Sequence, residues 1–106
     1  MIIAIPVNGS TLPRVFGQCE SYLFVTVDQE ARQILESHTA VAPPHAPGHL
    51  SDWIVKPGAT TVIVSQIPDS FRRMLEFNEL KVIDNVDPAP ALDLAQSFLD
   101  GTLSSS

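Results

Sequence analysis

The sequence predicts a three-layer α/β domain: a mixed five-stranded sheet in the order 3-2-1-4-5, with only the second strand antiparallel and helices on both sides. Three observations predict it. The runs Ile2–Val7, Tyr22–Val27 and Thr60–Ser65 are uncharged, as expected of strands covered on both faces. The first strands follow one another through turn-like junctions and read as hairpins, whereas the later ones alternate with segments of helical spacing. The resulting order, β-β-β-α-β-α-β-α, places hairpins before βαβ units, and right-handed crossovers restrict how those units wind.

The first strand, Ile2-Ile3-Ala4-Ile5-Pro6-Val7, is nearly continuous apolar sequence. Pro6 cannot donate a ladder hydrogen bond, so it belongs near the strand's end or beside a bulge. Asn8 to Pro13 then reads as turn and loop. In the second strand, alternation puts Leu23, Val25 and Val27 on one face and Tyr22, Phe24 and Thr26 on the other. Asp28-Gln29-Glu30 is a tight polar connection to a third strand over Ala31–Ser37, whose Arg32, Gln33 and Glu36 suit a sheet edge. His38–Gly48 is a proline- and alanine-rich loop.

Leu50, Trp53 and Ile54 then fall at helical spacing, ended by Pro57-Gly58. Thr60–Ser65 is the fourth strand. Pro68-Asp69 opens a second helix with Phe71, Met74 and Leu75 as its core stripe, and Lys81-Val82-Ile83 is a short fifth strand. Asp87-Pro88 reads as an N-cap followed by a first-turn proline. The third helix runs on to about Asp100, with Ala91, Leu94, Ala95 and Phe98 on one face and Gly101 as C-cap. This layout is that of the ribonuclease H-like motif. Residues 1–101 form a single domain, and residues 102–106 read as a disordered tail.

Composition narrows the function. At 106 residues and 44% hydrophobic, the chain can bury one core without disulfides or a structural metal. Its single cysteine excludes an internal disulfide and an all-cysteine metal site within one chain. Six Lys and Arg stand against 12 Asp and Glu, a net charge of −6, and the basic residues are scattered. Without a basic stripe to release counterions, nucleic acid is not the expected partner. No secretory leader pattern and no membrane-length apolar run is present, which points to a cytoplasmic protein with no membrane partner. A ribonuclease H-type nuclease needs acidic metal ligands beginning on the first strand, and Ile2–Val7 has none. Phe16-Gly17 alone is no phosphate-cradling loop. The expectation is a binding protein, not an enzyme.

Topology indicates where a ligand would go. The carboxyl ends of strands one, three, four and five, and the amino end of strand two, share one edge of the sheet, where open α/β sheets bind ligands. The loop carrying Arg14, Gln18 and Cys19 lies at that edge. So do the loop with His38, His45 and His49 and the turn Ser65-Gln66-Ile67-Pro68, while Asp28 and Glu30 fall at the opposite edge. Thiolate and imidazole together suit copper, zinc or iron–sulfur species. For Cys19 the alternative is a small buried hydrophobe; for His45 and His49 it is exposure to solvent. Trp53 reads as core, and Arg72-Arg73 as a solvated helix face.

The stretch Val15-Phe16-Gly17-Gln18-Cys19-Glu20-Ser21-Tyr22-Leu23-Phe24 resembles the signature of the dinitrogenase iron–molybdenum cofactor biosynthesis family, in which Phe-Gly precedes an aromatic-rich second strand. Ile2–Val7 is similar to that family's opening strand, Pro44–Leu50 to its histidine-bearing loop, and Ala91–Leu103 to its ending. The resemblance implies a non-enzymatic binding or carrier protein for a metal–sulfur cluster of iron–molybdenum or molybdenum–copper type. Its partners would be cluster-assembly or recipient proteins. Carried over by position, it implies cofactor contacts from Arg14, Phe16, Gly17, Gln18, Cys19, Ser65 and Gln66, and metal ligation by Cys19, His45 and His49. Three positions depart from the pattern. Val15 stands where a His is frequent, Gln18 where an Arg is, and Ser65-Gln66-Ile67 where a Gly-rich turn is usual. The alternative implied by those departures is a protein-interaction or regulatory module that has lost cluster binding.

Overall fold

A computed structural model describes residues 1–14, 21–41 and 53–101 of the chain. Five strands form one sheet: β1 (Ile2–Val7), β2 (Ser21–Asp28), β3 (Gln33–Val41), β4 (Ala59–Ile63) and β5 (Lys81–Ile83). Their order is β3-β2-β1-β4-β5. β2 runs antiparallel to both of its neighbours, whereas β1, β4 and β5 are parallel. The expected α/β architecture and strand order are those observed.

Alternation sorts the apolar residues into two cores, one on each face of the sheet. Ile3, Ile5, Val7, Val25, Val27 and Ile63 meet helix α2 (Ala91–Asp100) through Ala91, Leu94 and Ala95. Ala4, Tyr22, Phe24, Val62 and Val64 meet Ile54 and helix α1 (Asp69–Phe77), whose Leu75 is fully buried. Residues 53–55 are helical, in agreement with the expected first helix, and Leu50 lies outside the described residues. This helical turn is closed by the Gly58 N–H donating to the Val55 carbonyl at 2.8 Å, with Gly58 at φ +100°.

Pro6 sits in a central strand, and its missing donor falls on the β4 side and not on the β2 side. Met1 and Val27 exchange two backbone hydrogen bonds, at 2.9 and 3.4 Å. Antiparallel alternation then points the backbone groups of Ile3, Ile5 and Val7 toward β2 and the nitrogen of Pro6 toward β4. The β1–β4 pairing ends at Ala4 opposite Val62, two residues before Pro6, whose nitrogen has no hydrogen to donate.

Three elements have boundaries two or more residues from the expectation. β3 spans Gln33–Val41 and not 31–37, because Ala31 and Arg32 close the hairpin. There Asp28 Oδ1 accepts the N–H groups of Glu30 and Ala31, and Arg32 adopts φ +55°. His38 is therefore inside a strand, paired with Phe24, and not at the start of a loop. β4 ends at Ile63, two residues early. The last helix begins at Ala91, not Pro88. Two successive X-Pro steps, Asp87-Pro88 and Ala89-Pro90, disfavour helical geometry at residues 87 and 89. Instead Leu12 donates to the Ala89 carbonyl (3.0 Å), Thr11 bridges Pro90, and the Ser10 carbonyl accepts the first helical N–H, that of Ala91 (2.8 Å). The helix ends as expected at Gly101 in the left-handed conformation, φ +74°. Among the described residues, no helix is long and apolar enough to cross a membrane.

Candidate functional site

Backbone hydrogen bonds knit the sheet's carboxyl edge into a rim. After β1, Asn8 and Thr11 exchange bonds at 2.9 and 3.3 Å around Gly9, turning the chain toward Arg14. The Arg14 carbonyl accepts the Gln66 N–H at 3.1 Å, fixing this loop to the turn after β4. That turn is fixed in its turn to the end of β5: the Ser65 carbonyl accepts the Asn85 N–H at 2.7 Å, and the Val64 carbonyl accepts that of Val86 at 3.2 Å. Asn85 adopts φ +57°, a conformation asparagine tolerates better than most residues. Loops from three parallel strands are thus held in one register. Ser21, at the start of β2, pairs with both Val7 and Val41, so the ends of β2 and β3 reach the same edge.

The rim's chemistry among the described residues is modest. Arg14 is exposed and, among those residues, makes no ion pair, so it offers a cation in an otherwise acidic protein. Ser65 is buried and Gln66 exposed. Because the Gln66 N–H and the Ser65 carbonyl already have backbone partners, this turn has side chains to offer more than amides. No group of three or more His, Cys, Asp or Glu among the described residues could hold a metal ion. Phe16, Gly17, Gln18, Cys19, His45 and His49 lie outside the described residues. Their segments depart from Arg14 and Val41 and rejoin at Ser21 and Trp53. Asp28 and Glu30 are at the opposite end of the sheet, in the β2–β3 turn, as expected.

His38 is placed away from the rim. Its ring stacks on Phe24, with centroids 5.4 Å apart and planes at 22°. Trp53 meets Phe24 edge-on at 5.4 Å and Tyr22 at 5.5 Å. The rings of Phe24, His38 and Trp53 line an open groove of about 300 Å³ together with Ala40, Lys56 and Pro57. The groove was not legible from spacing, since its residues are far apart in sequence. The alternation of β2 was a usable signal, because it puts Tyr22 and Phe24 on one face. Arg72, read as a solvated face, instead holds α1 to the end of β5: its Nη1 donates to Asp84 Oδ2 at 3.1 Å, with Asp69 and Glu76 at 3.5 and 3.8 Å.

The sequence profile of the dinitrogenase iron–molybdenum cofactor family matches residues 1–101. Among solved structures, PH0822 superposes with a TM-score of 0.88 at 20% identity, covering 100% of this chain and 95% of its own. A protein described as a candidate dinitrogenase from Methanocaldococcus jannaschii gives 0.78 at 16% identity, covering 100% and 94%. The apo form of the orange protein from Desulfovibrio gigas gives 0.75 at 17% identity, covering 99% and 92%. At these identities the likeness is one of fold. No curated protein matches the chain.

Proposed function

We infer the function from one premise: the chain belongs to the dinitrogenase iron–molybdenum cofactor family, whose profile spans residues 1–101. A cofactor-related accessory role follows from that membership. The finer reading is a non-enzymatic carrier that takes a metal–sulfur cluster, of iron–molybdenum or molybdenum–copper type, as cargo and passes it between assembly and recipient proteins in the cytoplasm. Cys19, His45 and His49 would supply the metal ligands, with Arg14, Phe16, Gly17, Gln18, Ser65 and Gln66 around the cargo. A thiolate and two imidazoles suit a soft or borderline metal.

The observation that carries this reading is the stitched rim. Arg14, Ser65 and Gln66 come from different loops, yet the 3.1 Å bond between Gln66 and Arg14 brings them together. Segments 15–20 and 42–52, which hold the proposed ligands, are both anchored at this edge, through Arg14, Ser21 and Val41. A cation on the rim favours an anionic sulfide cluster despite the net charge of −6.

The test is anaerobic titration of purified protein with tetrathiomolybdate and copper(I), or with an iron–sulfur donor. The expected result is stoichiometric uptake with a visible charge-transfer band, lost in Cys19→Ala and weakened in His45→Ala and His49→Ala. Equal uptake by wild type and all three variants sinks the ligand assignment. No uptake by wild type sinks the carrier reading and leaves the interaction module.

A further inference from the structure

We propose that the outer edge of β3 is a homodimer interface, through which two copies of this chain join their sheets by antiparallel pairing about Thr39. β3 ends the sheet, and among the described residues no strand pairs with its outer side. It is nine residues long, and all but Ile34 and Ala40 are exposed.

The backbone register shows which groups that edge presents. Val27 directs its N–H and carbonyl toward Met1, so alternation directs those of Tyr22, Phe24 and Thr26 toward β3. Their partners Ala40, His38 and Glu36 therefore face inward. Ser37, Thr39 and Val41 present their N–H and carbonyl groups outward. This row is self-complementary. A two-fold axis beside Thr39 pairs it with Thr39 of the second copy, and pairs Ser37 with Val41 of the second copy and Val41 with Ser37. Each pair can exchange two hydrogen bonds, so every outward group from 37 to 41 is satisfied by an identical strand.

The protection usual at sheet edges is confined to the other half of β3. A register shift after Thr26 makes a bulge at Leu35, and Glu36 is the strand's only charged residue. From Ser37 to Val41 there is no charge, no proline and no bulge, and Val41 is 79% exposed. The open groove reaches this same half. In the two-fold register, His38 and Ala40, which line it, lie opposite Ala40 and His38 of the second copy as closely spaced non-hydrogen-bonded pairs. The two grooves then become continuous across the axis. A basic or acidic partner strand would find no counter-charge on 37–41, which favours a copy of the same neutral strand. Each chain carries −6, so the copies repel at long range and added salt strengthens the association.

Sedimentation equilibrium from micromolar to millimolar protein, at low and high salt, tests this. Wild type is expected to double its average mass with concentration, at lower concentration in high salt, with slowed amide exchange at Ser37, Thr39 and Val41. Thr39→Pro removes an outward N–H and is expected to hold the mass at monomer. Should that variant fail to fold, Ser37→Glu/Val41→Glu sets like charges across the axis and is expected to abolish the dimer. Ser37→Lys/Val41→Glu sets opposite charges there and restores it. A wild type that stays monomeric, or a dimer indifferent to these charge pairs, overturns the proposal, even if another protein proves to occupy the edge.

Discussion

The backbone N–H of Gln66 donates to the carbonyl of Arg14 across 3.1 Å, and this one bond ties the loop after β1 to the turn after β4. β1 and β4 are parallel neighbours, and their pairing stops at Ala4 opposite Val62. Beyond that point nothing in the ladder itself fixes the spacing of the two loops. The Gln66–Arg14 bond continues the connection outward, and the Ser65–Asn85 bond at 2.7 Å extends it to β5. The rim is therefore preorganised by main-chain bonds, which keep their partners whatever the side chains are. A sequence can change side chains along this rim without losing the platform that carries them.

A second tie, Arg72 to Asp84, holds α1 against the end of β5 and is open to a double-mutant cycle. Arg72 is 41% exposed and Asp84 27%, so solvent screens the 3.1 Å contact only in part. Arg72→Ala is expected to destabilise the fold by about 0.5–1.5 kcal/mol, and Asp84→Ala by a similar amount. The double mutant should cost less than their sum by about 0.5 kcal/mol. Asp69→Ala should be near neutral, because Asp69 is 75% exposed and lies 3.5 Å away. Urea unfolding at low and high salt checks all four, with the coupling shrinking as salt rises.

What the sequence disclosed, and what it hid, follows from where each signal is written. β1 and β5 were legible to the residue because Asn8-Gly9 closes the first run and Asp84 closes the second. The sheet order was legible because hairpins and crossovers leave few alternatives. The end of β3 was not: Thr39-Ala40-Val41 is compatible with a strand, but His38 and the prolines beyond it suggested loop. The start of α2 was misplaced because Pro88 is well suited to a first helical turn taken alone, while Ala89-Pro90 immediately after it is not. Of the candidate site, only the convergence of strand ends at one edge of the sheet was legible from topology. The bonds that assemble the rim were not, since they join backbone atoms about which residue type says nothing.

Gly58 offers a test of the backbone at the entry to β4. Its φ of +100° lies where side chains rarely go, yet a Cβ built there would meet only Ile2 Cδ1, at an ordinary 3.7 Å. The cost of Gly58→Ala is therefore conformational and not steric. A loss of about 1–2 kcal/mol is expected, partly offset by the stiffer unfolded chain. Thermal unfolding measures it, and an unchanged midpoint would mean that the turn relaxes to negative φ.

Arg14 is the rim cation that the proposed cargo should feel. It is exposed and adjoins segment 15–20, and its backbone carbonyl is already committed to Gln66. Substituting its side chain therefore removes charge without removing the loop's anchor. An exposed charge acting on an anion a few ångströms away is worth about 1 kcal/mol, or roughly fivefold in affinity. Arg14→Gln is expected to weaken tetrathiomolybdate–copper uptake by about that factor and Arg14→Glu by about its square, while Arg14→Lys stays near wild type. Added salt should lower the affinity of the wild type relative to that of Arg14→Gln, because screening weakens the attraction that the substitution deletes. If all three variants bind as the wild type does at low salt, the cargo does not approach the rim from the Arg14 side.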